Sequence, residues 1–179
     1  MSDHSSTSTE FITKARGFLR DEYLPKIERC LELLNDEQIW WRPNEDSNSV
    51  GNLLLHLCGN ARQWIVCGLG GEQDYRVRQS EFDERRVISR KELLTRTKAT
   101  LSSVDATLAQ FDDSRLLETF QIQGTTVTAL EAIFHVTEHF SMHTGQIILL
   151  TKLLTASDLQ FYDFDGAAPV HRWRSHPDH

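Results

Sequence analysis

The stretch HVTEHFSMHTGQIILLTKLL, residues 135–154, decides how this chain is read. Ile133, Val136, Ile147 and Leu150 recur at helical spacing through it and just before it. Thr128 and Glu131 form a capping box ahead of the run, which predicts a helix from there to about Leu154. Along that helix His135, His139, His143 and Gln146 step by four, four and three residues, so they line one side.

A second segment carries the same spacing. Ser49 caps a helix that runs to about Cys67, where Gly68, Gly70 and Gly71 end it. Asn52, His56, Asn60 and Gln63 lie along one side, beside Leu53, Leu57 and Trp64. Polar side chains set among core residues need partners, because each unpaired buried group costs about 1–3 kcal/mol. Two such stripes facing each other can satisfy one another or share a cation.

The remaining chain completes a bundle. Phe11, Ala15, Phe18, Leu19, Ile27, Leu31 and Leu34 predict a helix over 8–34, kinked or interrupted at Pro25. A loop with one turn near Glu37–Trp40 follows. Ser89 and Glu92 open another helix through about Gln110. Residues 72–88 are polar and read as a long irregular connection, and 114–127 as a short hairpin or an extended loop. Four long amphipathic segments with few strand signals predict an all-α four-helix bundle with long inter-helix connections. The expected organisation is a flexible N-terminus (1–7), one helical domain (8–162) and an irregular tail (163–179).

Histidines at i and i+4 project from successive turns and can grip one cation at about 2.0–2.1 Å per nitrogen. Residues at i and i+8 lie about 12 Å apart along the axis, so His135 and His143 do not share an ion. The pair is therefore 135/139 or 139/143, with His56 the natural third ligand. Three neutral imidazoles leave coordination positions open, as catalytic sites do. His135-Val-Thr-Glu138-His139 also spells the His-x-x-Glu-His of inverted zinc proteases. Those enzymes need a further acidic ligand well downstream, and the acids after His139 (Asp158, Asp163, Asp165 and Asp178) fall in the irregular stretch expected after the last helix, so the spelling is set aside.

Composition narrows the partners. A formal charge of −7 with scattered arginines excludes a nucleic-acid backbone as partner. No run of 18 apolar residues exists, and the N-terminus lacks an apolar signal core, so no membrane and a cytoplasmic location are expected. Cys30, Cys58 and Cys67 lack CxxC spacing and are expected as reduced core residues. His171, His176 and His179 are read as part of a solvated terminus.

With NSVGNLLLHLCGNARQWI (48–65) and HVTEHFSMHTGQIILLTKLL together, the chain resembles the DinB/YfiT-like superfamily over about residues 10–162. The shared motifs are His-Leu-x-Gly-Asn on the second helix, starting at His56, and His-x-x-x-His-x-Gly-Gln on the fourth, from His139 to Gln146. The resemblance implies a four-helix bundle, often a homodimer, with a divalent metal on His56, His139 and His143. Zinc or nickel comes first, with iron or manganese as alternatives. His135 matches a further histidine outside the trio. Glu138, His135, Asn60 and Gln146 are then the candidates for orienting the nucleophile or the ligands. Characterised relatives include transferases and isomerases that use a low-molecular-weight thiol, and others are described as metal-dependent hydrolases. Thr144 departs from the pattern, since many members carry arginine after the final ligand. The expectation is a metal-dependent enzyme acting on a small molecule, slightly favouring thiol S-transfer over hydrolysis. A non-catalytic metal- or ligand-binding helical dimer is the third reading.

Overall fold

The computed structural model describes residues 6–164 and 168–172. Helix α1 (Thr7–Gly17) passes through a π-helical segment, Phe18–Tyr23, into α2 (Leu24–Glu32). Pro25 does not break this helix. The wide turn before it lets the Leu24 N–H reach back five residues to the Leu19 carbonyl, making room for a ring that has no N–H of its own. Helix α3 (Asp36–Trp40) occupies the loop where one turn is expected, closed by an Asn35/Gln38 capping box.

Helix α4 (Val50–Ala61) starts on a Ser49/Asn52 capping box and continues as a π-helical segment, Arg62–Cys67. The connection beyond it is not wholly irregular, for it contains a short helix, α5 (Arg78–Asp83). Helix α6 (Arg90–Gln110) follows, capped by Ser89. Strands β1 (Thr119–Ile122) and β2 (Thr125–Thr128) resolve the 114–127 ambiguity as a hairpin. Gln123 and Gly124 form its two-residue turn with φ of 53° and 77°, the positive values such a turn needs. Helix α7 (Ala129–Thr155) then runs from the predicted Thr128/Glu131 box. A two-residue ladder, β3 (Tyr162–Asp163) with β4 (Val170–His171), lies in the stretch read as tail, where His171 Nδ1 sits 3.2 Å from Glu22. The expected N-terminal segment before Ser6, and His176 and His179, lie outside the described residues.

The all-α bundle has a definite order. Helices α6 and α7 each pack on both α1–α2 and α4. Arg16 pairs with Asp105 and Arg90 bonds the Leu31 carbonyl, so α6 runs antiparallel to α1–α2. Cys58 touches Thr97, and Gly70 lies against Thr107, so α4 and α6 are parallel. Asn60 meets His135 and His56 meets His139, so α4 and α7 are antiparallel. A parallel pair joined in sequence needs a connection that travels back along the bundle, which accounts for the length of 68–89. That crossover passes over His56.

Ile27, Leu31, Leu54, Leu57, Ile65, Ile133, Phe140 and Ile147 form the fully buried centre. Each such side chain contributes about 1.5–3 kcal/mol on burial, which sets the helix faces. The same rotation that buries Leu53 and Leu57 on α4, and Val136 and Ile147 on α7, brings His56 and Asn60 of one stripe to the histidines of the other at the α4–α7 seam. Among the described residues no helix is long and apolar enough to cross a membrane.

Candidate metal centre

The histidines of the two stripes do not play equal parts. One nitrogen from each of His56, His139 and His143 lies within 4.8 Å of the others. His56 and His139 face each other with Nε2 atoms 2.9 Å apart. Two ligands held about 2.1 Å from one ion at a right angle would stand about 3.0 Å apart, so this spacing fits a shared cation. The His139 and His143 ring centres are 4.4 Å apart, as i and i+4 allow.

His135 is directed elsewhere. Its Nε2 lies 3.1 Å from Asn60 Nδ2, and its ring packs 4.1 Å from the ring of Trp64. Glu138 is exposed on the outer side of α7. The residues of the His-x-x-Glu-His spelling therefore do not converge on one point. Gln146 bonds His143 rather than extending the ligand row.

Two of the three imidazoles have their tautomer set by a neighbour. Glu81 Oε2 is an acceptor only, so His56 Nδ1, 2.8 Å away, carries the hydrogen. His143 Nδ1 donates in the same way to Gln146 Oε1 at 2.6 Å. In both rings Nε2 is left with its lone pair, the form a cation requires. Burial, reinforced by the neighbouring imidazoles, pushes the His139 pKa down to about 3. Burial lowers those of His143 and His135 as well, so these rings are neutral near pH 7.

Glu81 and Arg76 are the residues that sequence reasoning missed. Both lie in the crossover, and both are nearly inaccessible, with side chains 10% and 5% exposed. Arg76 forks onto the carboxylate, Nε to Oε1 at 2.7 Å and Nη2 to Oε2 at 2.9 Å. Burial acts to raise the Glu81 pKa, but the bonds from Arg76 and His56 together outweigh it and hold the acid below its ordinary value. The stripe on α4 secures this arrangement. Asn52 Nδ2 donates to the carbonyls of Glu81 and Glu84 at 2.8 and 3.1 Å, and Gln63 Oε1 accepts from Arg76 Nη1 at 2.8 Å. Two of its four polar residues thus hold the crossover, while His56 and Asn60 face α7. One sequence signal was available: Gly59, a glycine in a helix interior, where it is costly. A β-carbon there would lie 2.0 Å from Glu81 Oε1, so the position is cleared for the carboxylate.

Bundle and trio together define the class, a DinB-like helical fold whose buried three-histidine group can hold a metal ion. Residues 6–164 match the family described as "Protein of unknown function (DUF1572)", and the chain belongs to that family. Crystal structures share the fold at low identity. A conserved protein from Enterococcus faecalis aligns with a TM-score of 0.69 at 15% identity, covering 81% of this chain and 97% of that one. A DinB-like protein from Bacillus subtilis aligns at 0.61 and 17%, covering 83% and 94%. Another from Bacillus cereus aligns at 0.58 and 18%, covering 77% and 91%. No curated protein matches the sequence significantly.

Proposed function

We propose that this protein is a metal-dependent enzyme in which His56, His139 and His143 hold a divalent cation, zinc or nickel first, with iron or manganese as alternatives. The observation that carries this reading is the convergence of the three rings, with the outer nitrogens of His56 and His143 tied to acceptors. A cation held there would act as a Lewis acid and favour the deprotonated form of a thiol or water. The protein's own residues would orient its ligands and receive the substrate. Gln146 fixes His143, and Asn60 holds His135 beside His139. The buried Oδ1 of Asn60 has no donor among the described residues, a state that a bound thiol, water or hydroxyl group would relieve. Glu138 would set the charge at the rim. A cleft of about 310 Å³ bounded by Pro43, Leu53, Leu149 and Gln146 lies at the opposite end of the seam from Asn60, where Gln146 meets His143, and its size suits a small molecule.

The preferred chemistry is S-transfer from a low-molecular-weight thiol to an electrophile, a preference that rests on the family resemblance. The test is turnover of a chlorinated aromatic or maleimide-like electrophile by full-length, tag-free, metal-loaded protein with several cellular thiols. Thiol-dependent consumption of the electrophile is expected. Hydrolysis of esters or amides without thiol dependence would reassign the protein to the hydrolases. A bound metal without either activity would leave a binding bundle.

The same reading includes a homodimer. Phe134, Met142, Leu149 and Leu153 stand 47–63% exposed along one edge of α7, around Gly145, above which a β-carbon would meet nothing within 4 Å. Phe134 with Leu153, and Met142 with Gly145, are symmetric about a point between His143 and Thr144. An antiparallel second copy would set Phe134 beside Leu153 and Met142 beside Gly145, the self-complementary pattern of a two-fold interface. Light scattering after size exclusion should give twice the chain mass, and Leu149→Glu with Leu153→Glu should give the monomer. A monomeric wild type would remove the dimer from the proposal.

A further inference from the structure

We propose that the crossover between α4 and α6 is a working part of the cation site: Glu81, clamped by Arg76, orients His56 and sets the cation affinity, and the bound cation in return holds the crossover down. This inference rests on the metal reading above and adds a regulatory element to it.

Three observations carry it. The carboxylate reaches His56 Nδ1 at 2.8 Å and selects the tautomer whose Nε2 faces His139. Removing Glu81 would leave Arg76 Nη2, 3.2 Å from the same nitrogen, as the nearest polar neighbour. A guanidinium can only donate, and would favour the opposite tautomer, with the hydrogen on Nε2 and no lone pair for a cation. Gly59 and Asn52 are the second observation. One clears space for the carboxylate and the other ties the carbonyls of Glu81 and Glu84 to α4. The third is placement: Phe82 follows Glu81 and packs its ring 4.7 Å from that of His56, so α5 covers the ligand as well as orienting it. Glu81 is a positioning residue, acting through His56. Because coupling is reciprocal, a segment that strengthens cation binding must itself be stabilised by the cation.

The experiment uses tag-free full-length protein and zinc alone, with affinity measured by competition against a chromogenic chelator. Glu81→Gln, and independently Gly59→Ala, which displaces the carboxylate without altering charge, should each weaken zinc binding about 10–100-fold. With cobalt in place of zinc, the visible ligand-field bands should shift in both variants, a change that loss of stability elsewhere would not cause. Wild-type protein provides a measurement free of folding problems. Zinc should slow tryptic cleavage at the exposed Arg78, Arg85 and Arg86 of the crossover by about ten-fold or more, matching the affinity change. Unchanged affinity and spectra in the variants, or cleavage indifferent to zinc in wild type, would overturn this inference and leave the metal reading standing. No zinc binding by wild-type protein would overturn both.

Discussion

Alanine at His56, His139 or His143 is expected to abolish stoichiometric metal, while His135→Ala keeps most of it. The argument is geometric. The three rings converge within 4.8 Å, whereas His135 is turned to Asn60 and Trp64. Losing one of three nitrogen ligands leaves two, too few for a stable site of this kind. Elemental analysis of tag-free protein after dialysis against free metal checks the set, with circular dichroism to confirm that each variant is folded. Near one equivalent in wild type and His135→Ala, against less than about a tenth in the other three, is the expected pattern. Equal loss from His135→Ala with retention in His143→Ala would move the pair to 135/139. Absence of metal from wild type, even after reconstitution, would remove the enzymatic reading.

Arg76→Ala should produce the largest loss of stability outside the hydrophobic centre, about 3–5 kcal/mol in metal-free protein. The guanidinium is 5% exposed and gives two bonds to Glu81 and one to Gln63, so its removal strands a carboxylate in a dry environment. Burial, which raises the Glu81 pKa, is then opposed by His56 alone, so the carboxyl shifts toward its protonated form. Arg76→Lys should recover only part of the loss, because an ammonium cannot fork onto both oxygens. Urea unfolding of the three proteins without metal measures this, and a difference below about 1 kcal/mol for Arg76→Ala would show the pair to be solvated and weak.

The fold was legible because its signals are local. Ser49, Ser89 and Thr128 announce helix starts within a few residues, and apolar periodicity states which faces meet. The hairpin was half legible: alternation at Thr119–Ile122 suggested it, while its decisive turn depends on the positive φ of Gln123 and Gly124. The three histidines stood out because imidazoles on an apolar helix are conspicuous. Glu81 and Arg76 did not, since a charged pair in a polar stretch looks the same whether solvated or buried. What distinguishes them is the parallel course of α4 and α6, a tertiary fact that draws 72–88 across His56. The α4 stripe was seen, but its division between the crossover and α7 depends on that same path.

The antiparallel seam between α4 and α7 also has a consequence in time. His56 and His139 are 83 residues apart in sequence, so at about 5–20 residues per second a ribosome needs roughly 4–17 s to add the second after the first. Throughout that interval the growing chain holds only one of the three imidazoles, and the other two reach it only once α7 has left the exit tunnel and docked. The three rings thus come together only when α7 docks, and a cation held between them would be taken up after that step.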